Sequence, residues 1–409
     1  MITIIKRIMR WVRIDYQVKW LTIYARMTLF WLKYRDVTVE KSIVFESFKG
    51  MKISDSPLAI FNIIKYMSEF EDYIFYWVVN EPKSEKNPLT HPRVKYIRSG
   101  TPSYALAYAR SRFWISNCVI PLHFKKKMNQ TYIQCWHGTP LKKIGLDVEY
   151  DKNELHSKRF LDFAFKLDSS RYDYIVSPSG YASEKFKSAF SLTEKTKIIE
   201  SGYPRNDELS LHRNDNMYKL EIKKKLDLIG VKKIILFCPT FRDEHYRSKK
   251  KSIWYDSLLK LSTAVGEDSV ILFRSHYYDS STIPTVKNLI DVSRLDSVNE
   301  LFLVSDCLIS DYSSVIFDYA ILDKPIYIFS KDYNFYKNST RGMYFDLSEV
   351  YGFKVYNNEN TIATAIFEEL HQECSIKLKS DFCKNEDGGA ANRVIRKVIS
   401  IEKERGNLV

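Results

Sequence analysis

Residues 131–140 read TYIQCWHGTP: an apolar run, Thr131 to Trp136, that gives way abruptly to His137-Gly138-Thr139-Pro140. A short apolar stretch that breaks off into polar and turn-forming residues is the signature of a buried strand delivering a loop. The same alternation extends outward on both sides. Upstream, strands are expected at Ser42–Phe48, Tyr73–Val79, Val94–Ile97 and Phe113–Cys118, with helical stretches at Leu58–Met67 and Tyr104–Arg112; downstream, strands follow at Tyr174–Ser177 and Lys197–Glu200. Strands separated by helices imply a parallel sheet covered on both faces.

The charged stretch Leu211–Lys225 reads as a boundary, after which the alternation restarts. Strands are expected at Lys233–Cys238, Val270–Phe273, Leu289–Asp291, Cys307–Ile309 and Pro325–Phe329, with helices over Trp254–Val265 and Val298–Leu303. The expectation is an α/β chain with a basic segment at 1–38, one unit at 39–215 and another at 216–409, the last helix being free to cross back. In open α/β sheets ligands sit beyond the carboxyl ends of the strands, so the residues there carry the functional argument.

With 409 residues, 45% hydrophobic, and only 13 Gly and 12 Pro, the chain is too apolar for disorder and too poor in glycine for a collagen-like repeat. Its six cysteines, Cys118, Cys135, Cys238, Cys307, Cys374 and Cys383, include no C-x-x-C pair and read as buried free thiols. The net charge of +13 favours anionic partners. Much of it lies in residues 1–35, where eight basic side chains face one acid, Asp15. The uncharged stretches there are about six residues long, far short of the ~20 that span a bilayer. Lys6, Arg10 and Arg13 stand at helical spacing and Lys19, Arg26 and Lys33 recur every seven residues, beside apolar faces holding Trp11, Trp20, Phe30 and Trp31. That pattern suits an interfacial anchor on anionic lipid, and equally helices packed on the following domain with a solvated basic face. A signal peptide is not expected, because no uninterrupted apolar core or small-residue cleavage site follows the charges.

Polar groups gather at the strand ends. His137, followed by Gly138 and Thr139 and then Lys142 and Lys143, is placed to exchange a proton near neutral pH, although a capping or core histidine would also satisfy the pattern. The turn Ser201-Gly202-Tyr203-Pro204-Arg205-Asn206-Asp207 presents Arg205. Arg242 follows one strand of the second unit and Arg274-Ser275-His276 another, putting guanidinium groups where a phosphate could be gripped. Ser313 and Ser314, after Ile309-Ser310-Asp311-Tyr312, open an apolar helix over Val315–Leu322, where free N–H groups favour an anion; an ordinary serine cap is the plainer explanation. Together these elements describe a diphosphate pocket. There is no G-x-x-x-x-G-K-[ST], no G-x-G-x-x-G, no H-E-x-x-H and no zinc-spaced Cys/His set, and nothing in the spacing of the aspartates asks for a divalent cation.

Four ordered motifs carry a family resemblance: Gln134–Lys142 (QCWHGTPLK), Gly202–Asp207 (GYPRND), Pro239–Asp243 (PTFRD) and Ser310–Tyr319 (SDYSSVIFDY), joined by Arg341-Gly342 and Glu386–Arg393 (EDGGAANR). In this order they resemble the CDP-glycerol glycerophosphotransferases of teichoic acid synthesis over roughly residues 40–400, the Gly388-Gly389 spelling and Asn392 being mild departures. The resemblance implies a GT-B fold, two Rossmann-like domains facing a cleft, with an acceptor-side N-terminal domain and the CDP-alditol held mainly by the C-terminal one. It implies transfer of glycerol phosphate or ribitol phosphate from the CDP-alditol to a hydroxyl of an undecaprenyl-diphosphate-linked glycan, releasing CMP. No cofactor is implied beyond the donor, and the need for a divalent cation stays open.

Carried onto this sequence, His137 and His276 become the catalytic pair, with His137 deprotonating the acceptor. Arg205, Arg242, Arg274, Ser313 and Ser314 become donor diphosphate ligands, and Gly138, Thr139, Asp311 and Asp318 position the pocket. A lipid-linked acceptor favours the anionic membrane surface as partner of Lys6, Arg10, Trp11, Arg13, Trp20 and Trp31, hence a peripheral location on the cytoplasmic face of the bacterial cell membrane. Nucleic acid is not expected as a partner, since the charge excess sits in a Trp- and Ile-rich end and no reader motif accompanies it. A nucleotide-sugar-dependent GT-B glycosyltransferase or epimerase, and a capsule polymerase of the same family, remain the alternatives; oligomeric state is left open.

Overall fold

A computed structural model describes residues 15–83, 89–149, 157–240, 252–275, 282–333, 342–370 and 372–406. Lys6, Arg10, Trp11, Arg13, Arg242, His276 and Arg341 lie outside the described residues. The chain divides into two compact units. The first takes the residues up to His137, Lys143–Arg205 and those from Gly389 onward; the second takes Gly138–Lys142 and Asn206–Gly388. The division falls at Arg205/Asn206 rather than 215/216, because the charged stretch Leu211–Lys225 mostly forms helices, Asp207–His212 and Asn216–Lys225.

The first unit is built on a seven-stranded sheet in the order β3-β2-β1-β4-β5-β6-β7, with every neighbouring pair parallel. The strands are β1 (Glu40–Glu46), β2 (Ile74–Val79), β3 (Val94–Arg98), β4 (Ser111–Ser116), β5 (Thr131–Gln134), β6 (Tyr174–Ser177) and β7 (Lys197–Glu200). Central strands such as β2 (IFYWVV) are apolar on both faces, as a sheet covered on both sides requires. The chain winds one way from β1 to β3 and the other way from β4 to β7, so β1 and β4 flank the topological switch point, where doubly wound sheets bind ligands.

The last helix, Ala390–Glu404, supplies Val394, Ile395, Val398 and Ile401 to the core of this first unit. It is locked by Glu402, fully buried, which accepts hydrogen bonds from Tyr73 Oη and Arg112 Nη1, each at 2.7 Å. On the other face of the sheet the helix Asp15–Tyr34 inserts Phe30 and Tyr34 beside Tyr104, Tyr108 and Phe124. Its opposite side leaves Leu21, Leu29, Trp31 and Leu32 exposed. Packing therefore accounts for one face of this helix and not the other. Among the described residues no helix is long and apolar enough to cross a membrane.

The second unit holds a six-stranded sheet, order β10-β9-β8-β11-β12-β13, again parallel throughout. Its strands are β8 (Lys233–Cys238), β9 (Ser269–Phe273), β10 (Leu289–Asp291), β11 (Cys307–Ser310), β12 (Ile326–Phe329) and β13 (Val355–Tyr356), and its switch point lies between β8 and β11. Its core packs Ile235, Phe237, Trp254, Phe273, Ile309 and Phe329 with Leu258 and Ile362 from two helices. All six cysteines are buried and unpaired.

Removing one member of a buried ion pair leaves the other charge stranded, so Glu402→Ala should lower unfolding stability by about 3 kcal/mol. Urea denaturation checks this. A loss below about 1 kcal/mol, the range of a surface ion pair, would show that the clamp does not hold the last helix.

Candidate active site

Three loops converge where β1, β4 and β5 of the first unit end. After β5 the backbone turns through Trp136 at φ 51°, a left-handed conformation that costs a non-glycine residue about 1–2 kcal/mol. The turn is held by Trp136 N–H donating to Gln134 Oε1 (2.9 Å) and by the indole packing on Phe190, and it presents His137, whose ring stacks on Trp136 at 4.5 Å. His137 Nδ1 lies 2.7 Å from the backbone carbonyl oxygen of Asn117. A carbonyl only accepts, so Nδ1 carries the proton and Nε2 keeps its lone pair. The ring edge reaches solvent, yet the surroundings are dense with protein, and the resulting desolvation pushes the imidazole pKa below its ordinary value. His137 is therefore a neutral base at neutral pH.

Two charges set the field at the ring: Asp55 favours its protonation and Arg205 opposes it. These two pair with each other, Arg205 Nη1 to Asp55 Oδ2 at 3.1 Å, both largely buried. Asp55 itself stands at φ 63° and accepts from the Ser56 N–H (2.6 Å). Arg205 is thus partly neutralised by a carboxylate that sequence reading did not single out, since the two are 150 positions apart.

The β1 end makes a left-handed turn of three successive residues, Phe48 (φ 47°), Lys49 (φ 57°) and Gly50 (φ 77°). Phe48 N–H donates to Asn117 Oδ1 (2.9 Å) and Lys49 N–H to Cys118 Sγ (3.2 Å), and the Phe48 ring meets His137 edge-on at 5.9 Å. Gly50 is required, because a Cβ there would lie 3.2 Å from the Val79 backbone. Such strain persists where the surrounding structure over-determines it, typically beside functional groups. The glycine after a strand was its sole trace in the sequence.

Beneath these loops lies a buried polar layer. Glu46 Oε2 accepts from Tyr104 Oη (2.9 Å) and Tyr108 Oη (2.5 Å), while Gln134 Nε2 donates to the Cys118 carbonyl (3.2 Å) and to Tyr132 Oη (3.0 Å). Tyr172 Oη donates to Asp168 Oδ2 (2.5 Å), whose carboxylate also pairs with Arg171. Burial pushes the Glu46 carboxyl up to about 7.

In the second unit Asp311 is the hub. Its carboxylate accepts from Thr240 N–H (2.9 and 3.0 Å) and Thr240 Oγ1 (2.6 Å), and Ser310 Oγ donates to the Cys238 carbonyl (2.7 Å), so the ends of β8 and β11 are clamped at the switch point. Ser313 and Ser314 precede the helix Val315–Ala320, shorter than expected. Ser314 makes no side-chain cap bond. Its hydroxyl instead faces Gly138, where a Cβ would come within 2.8 Å, so Gly138 is required there as well. Thr139 is buried beside it, and the segment Gly138–Lys142 is fastened within this unit by the Tyr344 N–H to Leu141 carbonyl bond (2.9 Å).

Two of the expected site residues, one a diphosphate ligand and one a pocket-positioning residue, have structural partners. Arg274 Nη1 donates to the carbonyls of Val292 (3.2 Å) and Leu295 (2.8 Å), bracing the turn after β10, and burial lowers its pKa. Asp318, nearly buried, accepts from Asn206 Nδ2 (2.9 Å), which also reaches Glu386 Oε1 (3.3 Å). Asn206 thereby ties Asp318 to the EDGG segment. Backbone carbonyl partners leave no mark in a sequence, which is why the bracing role of Arg274 was not foreseen. Among the described residues no group of three or more His, Cys, Asp or Glu side chains is disposed to hold a metal ion.

The family model described as CDP-Glycerol:Poly(glycerophosphate) glycerophosphotransferase matches residues 28–400. The teichoic acid poly(glycerol phosphate) polymerase of Staphylococcus epidermidis is 38% identical over 368 residues, covering 87% of this chain and 50% of the relative, so the chain spans half that relative's length. The teichoic acid glycerol-phosphate transferase of Staphylococcus aureus is 34% identical over 369 residues, 87% of this chain and 92% of the relative. Among solved structures, the wall teichoic acid polymerase TagF superposes with a TM-score of 0.84 at 34% identity, covering 98% of each chain.

Glu46 yields a signed pH dependence. Its folded pKa of about 7 exceeds the unfolded 4.5, so its contribution to stability is complete below 4.5 and is lost as pH rises through 7, by about 3 kcal/mol in all. Glu46→Gln should therefore gain stability relative to the parent between pH 5 and pH 8. Denaturation midpoints that move in parallel for the two proteins across that range would refute the shift.

Proposed function

The chain belongs to the CDP-glycerol:poly(glycerophosphate) glycerophosphotransferase family and is a transferase of that type, and from this premise we propose that it moves glycerol phosphate from CDP-glycerol to a hydroxyl of a lipid-linked glycan in wall teichoic acid synthesis, with His137 as the base. The observation that carries the assignment is the His137 Nδ1 to Asn117 carbonyl bond, which leaves Nε2 free and unprotonated. In the proposed step Nε2 takes the acceptor hydroxyl proton, the acceptor oxygen attacks the alditol-bearing phosphorus, and the bond from that phosphorus to the bridging oxygen breaks, so that CMP leaves with the electron pair. Charge developing on CMP is met by Arg205, Arg242, His276 and the Ser313 and Ser314 hydroxyls, while Arg274, Asp311 and Asp318 brace the loops around them. CDP-ribitol is the competing donor, and an undecaprenyl-diphosphate-linked glycan the expected acceptor.

A lipid-linked acceptor requires the enzyme at a membrane surface. The helix Asp15–Tyr34 supports peripheral attachment to the cytoplasmic face: Leu21, Leu29 and Leu32 are 58%, 66% and 53% exposed, and the exposed Arg26 and Lys33 flank them to meet anionic headgroups. Lys19 lies over the Phe160 ring at 4.8 Å and Lys125 over Trp31 at 5.4 Å.

CMP release from CDP-glycerol with a synthetic lipid-diphosphate disaccharide tests the transfer. His137→Ala should reduce it roughly a hundredfold or more. Because burial lowers the His137 pKa, the acidic limb of the wild-type pH profile should hold its rate down to pH values below the ordinary histidine range. Undiminished release by the variant would sink the base assignment, and silence of the folded parent with both CDP-glycerol and CDP-ribitol would sink the reaction. Membrane attachment is read separately: the triple variant Leu21→Ser, Leu29→Ser, Leu32→Ser should leave the pellet when co-sedimented with phosphatidylglycerol vesicles, and unchanged co-sedimentation would refute attachment through this helix.

A further inference from the structure

The first unit carries a basic groove that the transfer chemistry does not use. It has a volume of about 390 Å³ and runs between the edge of the sheet at β6 and β7, through Tyr174, Lys197, Ile198 and Ile199, and the last helix, through Arg393, Arg396, Lys397 and Ser400. The helix residues stand at i, i+3, i+4 and i+7, so they form one stripe along the groove. Four of the eight lining side chains are cationic. Arg393 is anchored, donating from Nε (3.0 Å) and Nη2 (2.7 Å) to the Ser201 carbonyl. Lys197, Arg396 and Lys397 pair with no carboxylate among the described residues; Arg396 Nε reaches its own helix at the Asn392 carbonyl (3.4 Å), and Lys397 lies over the Tyr174 ring at 5.3 Å. Glu404 bounds the stripe, accepting from Ser400 Oγ (3.0 Å).

Clustered cations without counter-charge repel one another, and a bound polyanion relieves that repulsion while releasing its own counterions. Cations one helical turn apart are spaced roughly 6 Å, close enough to engage successive phosphates separated by a short alditol. Tyr174, Ile198 and Ile199 give the groove an apolar floor against which the carbon segments between the phosphates can lie. We propose that this groove binds the phosphodiester chain of an alditol phosphate polymer, as acceptor or product, outside the transfer site. The inference rests on the transfer reading above, since that reaction supplies the polyanion. Retaining the chain there would keep its free end in reach of successive donors and lengthen the product.

The experiment measures binding of synthetic glycerol phosphate oligomers of increasing length to the full chain, by fluorescence anisotropy, for the parent and for the double variants Arg396→Glu/Lys397→Glu and Arg396→Gln/Lys397→Gln. Arg396 is exposed and Lys397 half-buried, and the glutamine pair guards against a folding defect in the charge reversal. For the parent, affinity should rise with length and fall with added salt; the variants should lose roughly tenfold on the longest oligomer and make shorter products, with CMP release on a one-unit acceptor unchanged. Equal affinity and product length in folded variants would overturn the proposal, as would competition by a length-matched oligonucleotide as strong as by the oligomer. Oligomer binding that the variants weaken, in a protein that releases no CMP, would support the groove and overturn the transfer reading alone.

Discussion

A carbonyl oxygen accepts hydrogen bonds and never donates them, and the carbonyl of Asn117, 2.7 Å from His137 Nδ1, therefore decides which imidazole nitrogen is free for chemistry. That carbonyl has to be held in place, and much of the first unit contributes. The Asn117 side chain receives the Phe48 N–H, the neighbouring Cys118 sulfur receives the Lys49 N–H, and the Cys118 carbonyl is fixed by Gln134, whose other amide atom holds the Trp136 N–H. Three strand ends are thus joined through one set of side chains, and the strained dihedrals at Phe48, Lys49 and Trp136 are kept because relaxing any of them would break a bond in this set.

The second unit solves the same problem with a single carboxylate. Where two adjacent parallel strands end at a switch point, their outgoing loops leave backbone N–H groups facing the ligand side. Asp311 takes the N–H and hydroxyl of Thr240, and Ser310 takes the Cys238 carbonyl, so the two loops cannot part independently. Ser314 is released from capping and is packed on Gly138, where any side chain would collide with it. In both units a glycine beside the strand-end loops allows a close approach, Gly50 in the first and Gly138 in the second.

Charge is distributed according to use. A buried ionic group survives where it is paired, as with Glu402 between Tyr73 and Arg112, or Asp55 against Arg205. Exposed cations are solvated by water, so an excess of them can accumulate at a surface without a large cost. The helix Asp15–Tyr34 and the last helix both carry such cations, the first beside exposed leucines and the second along a groove.

The sequence by itself determined the α/β alternation, the two parallel sheets, the family and the strand-end position of His137, because these depend on local periodicity and on residues adjacent in the chain. It also showed Gly138 and Asp311 as residues of interest without showing what each touches. Only the tertiary structure decided that Asp55 partners Arg205, that Asn117 sets the histidine tautomer, that Glu46 holds its proton to about pH 7, and that Arg274 braces carbonyls. It decided equally that the last helix packs in the first unit and that its stripe of cations meets the edge of β7. These are contacts between residues far apart in the chain, often through backbone atoms that every residue shares, so no local pattern of side chains encodes them. They exist only once burial has brought the strand ends together and each polar group there has had to find a partner.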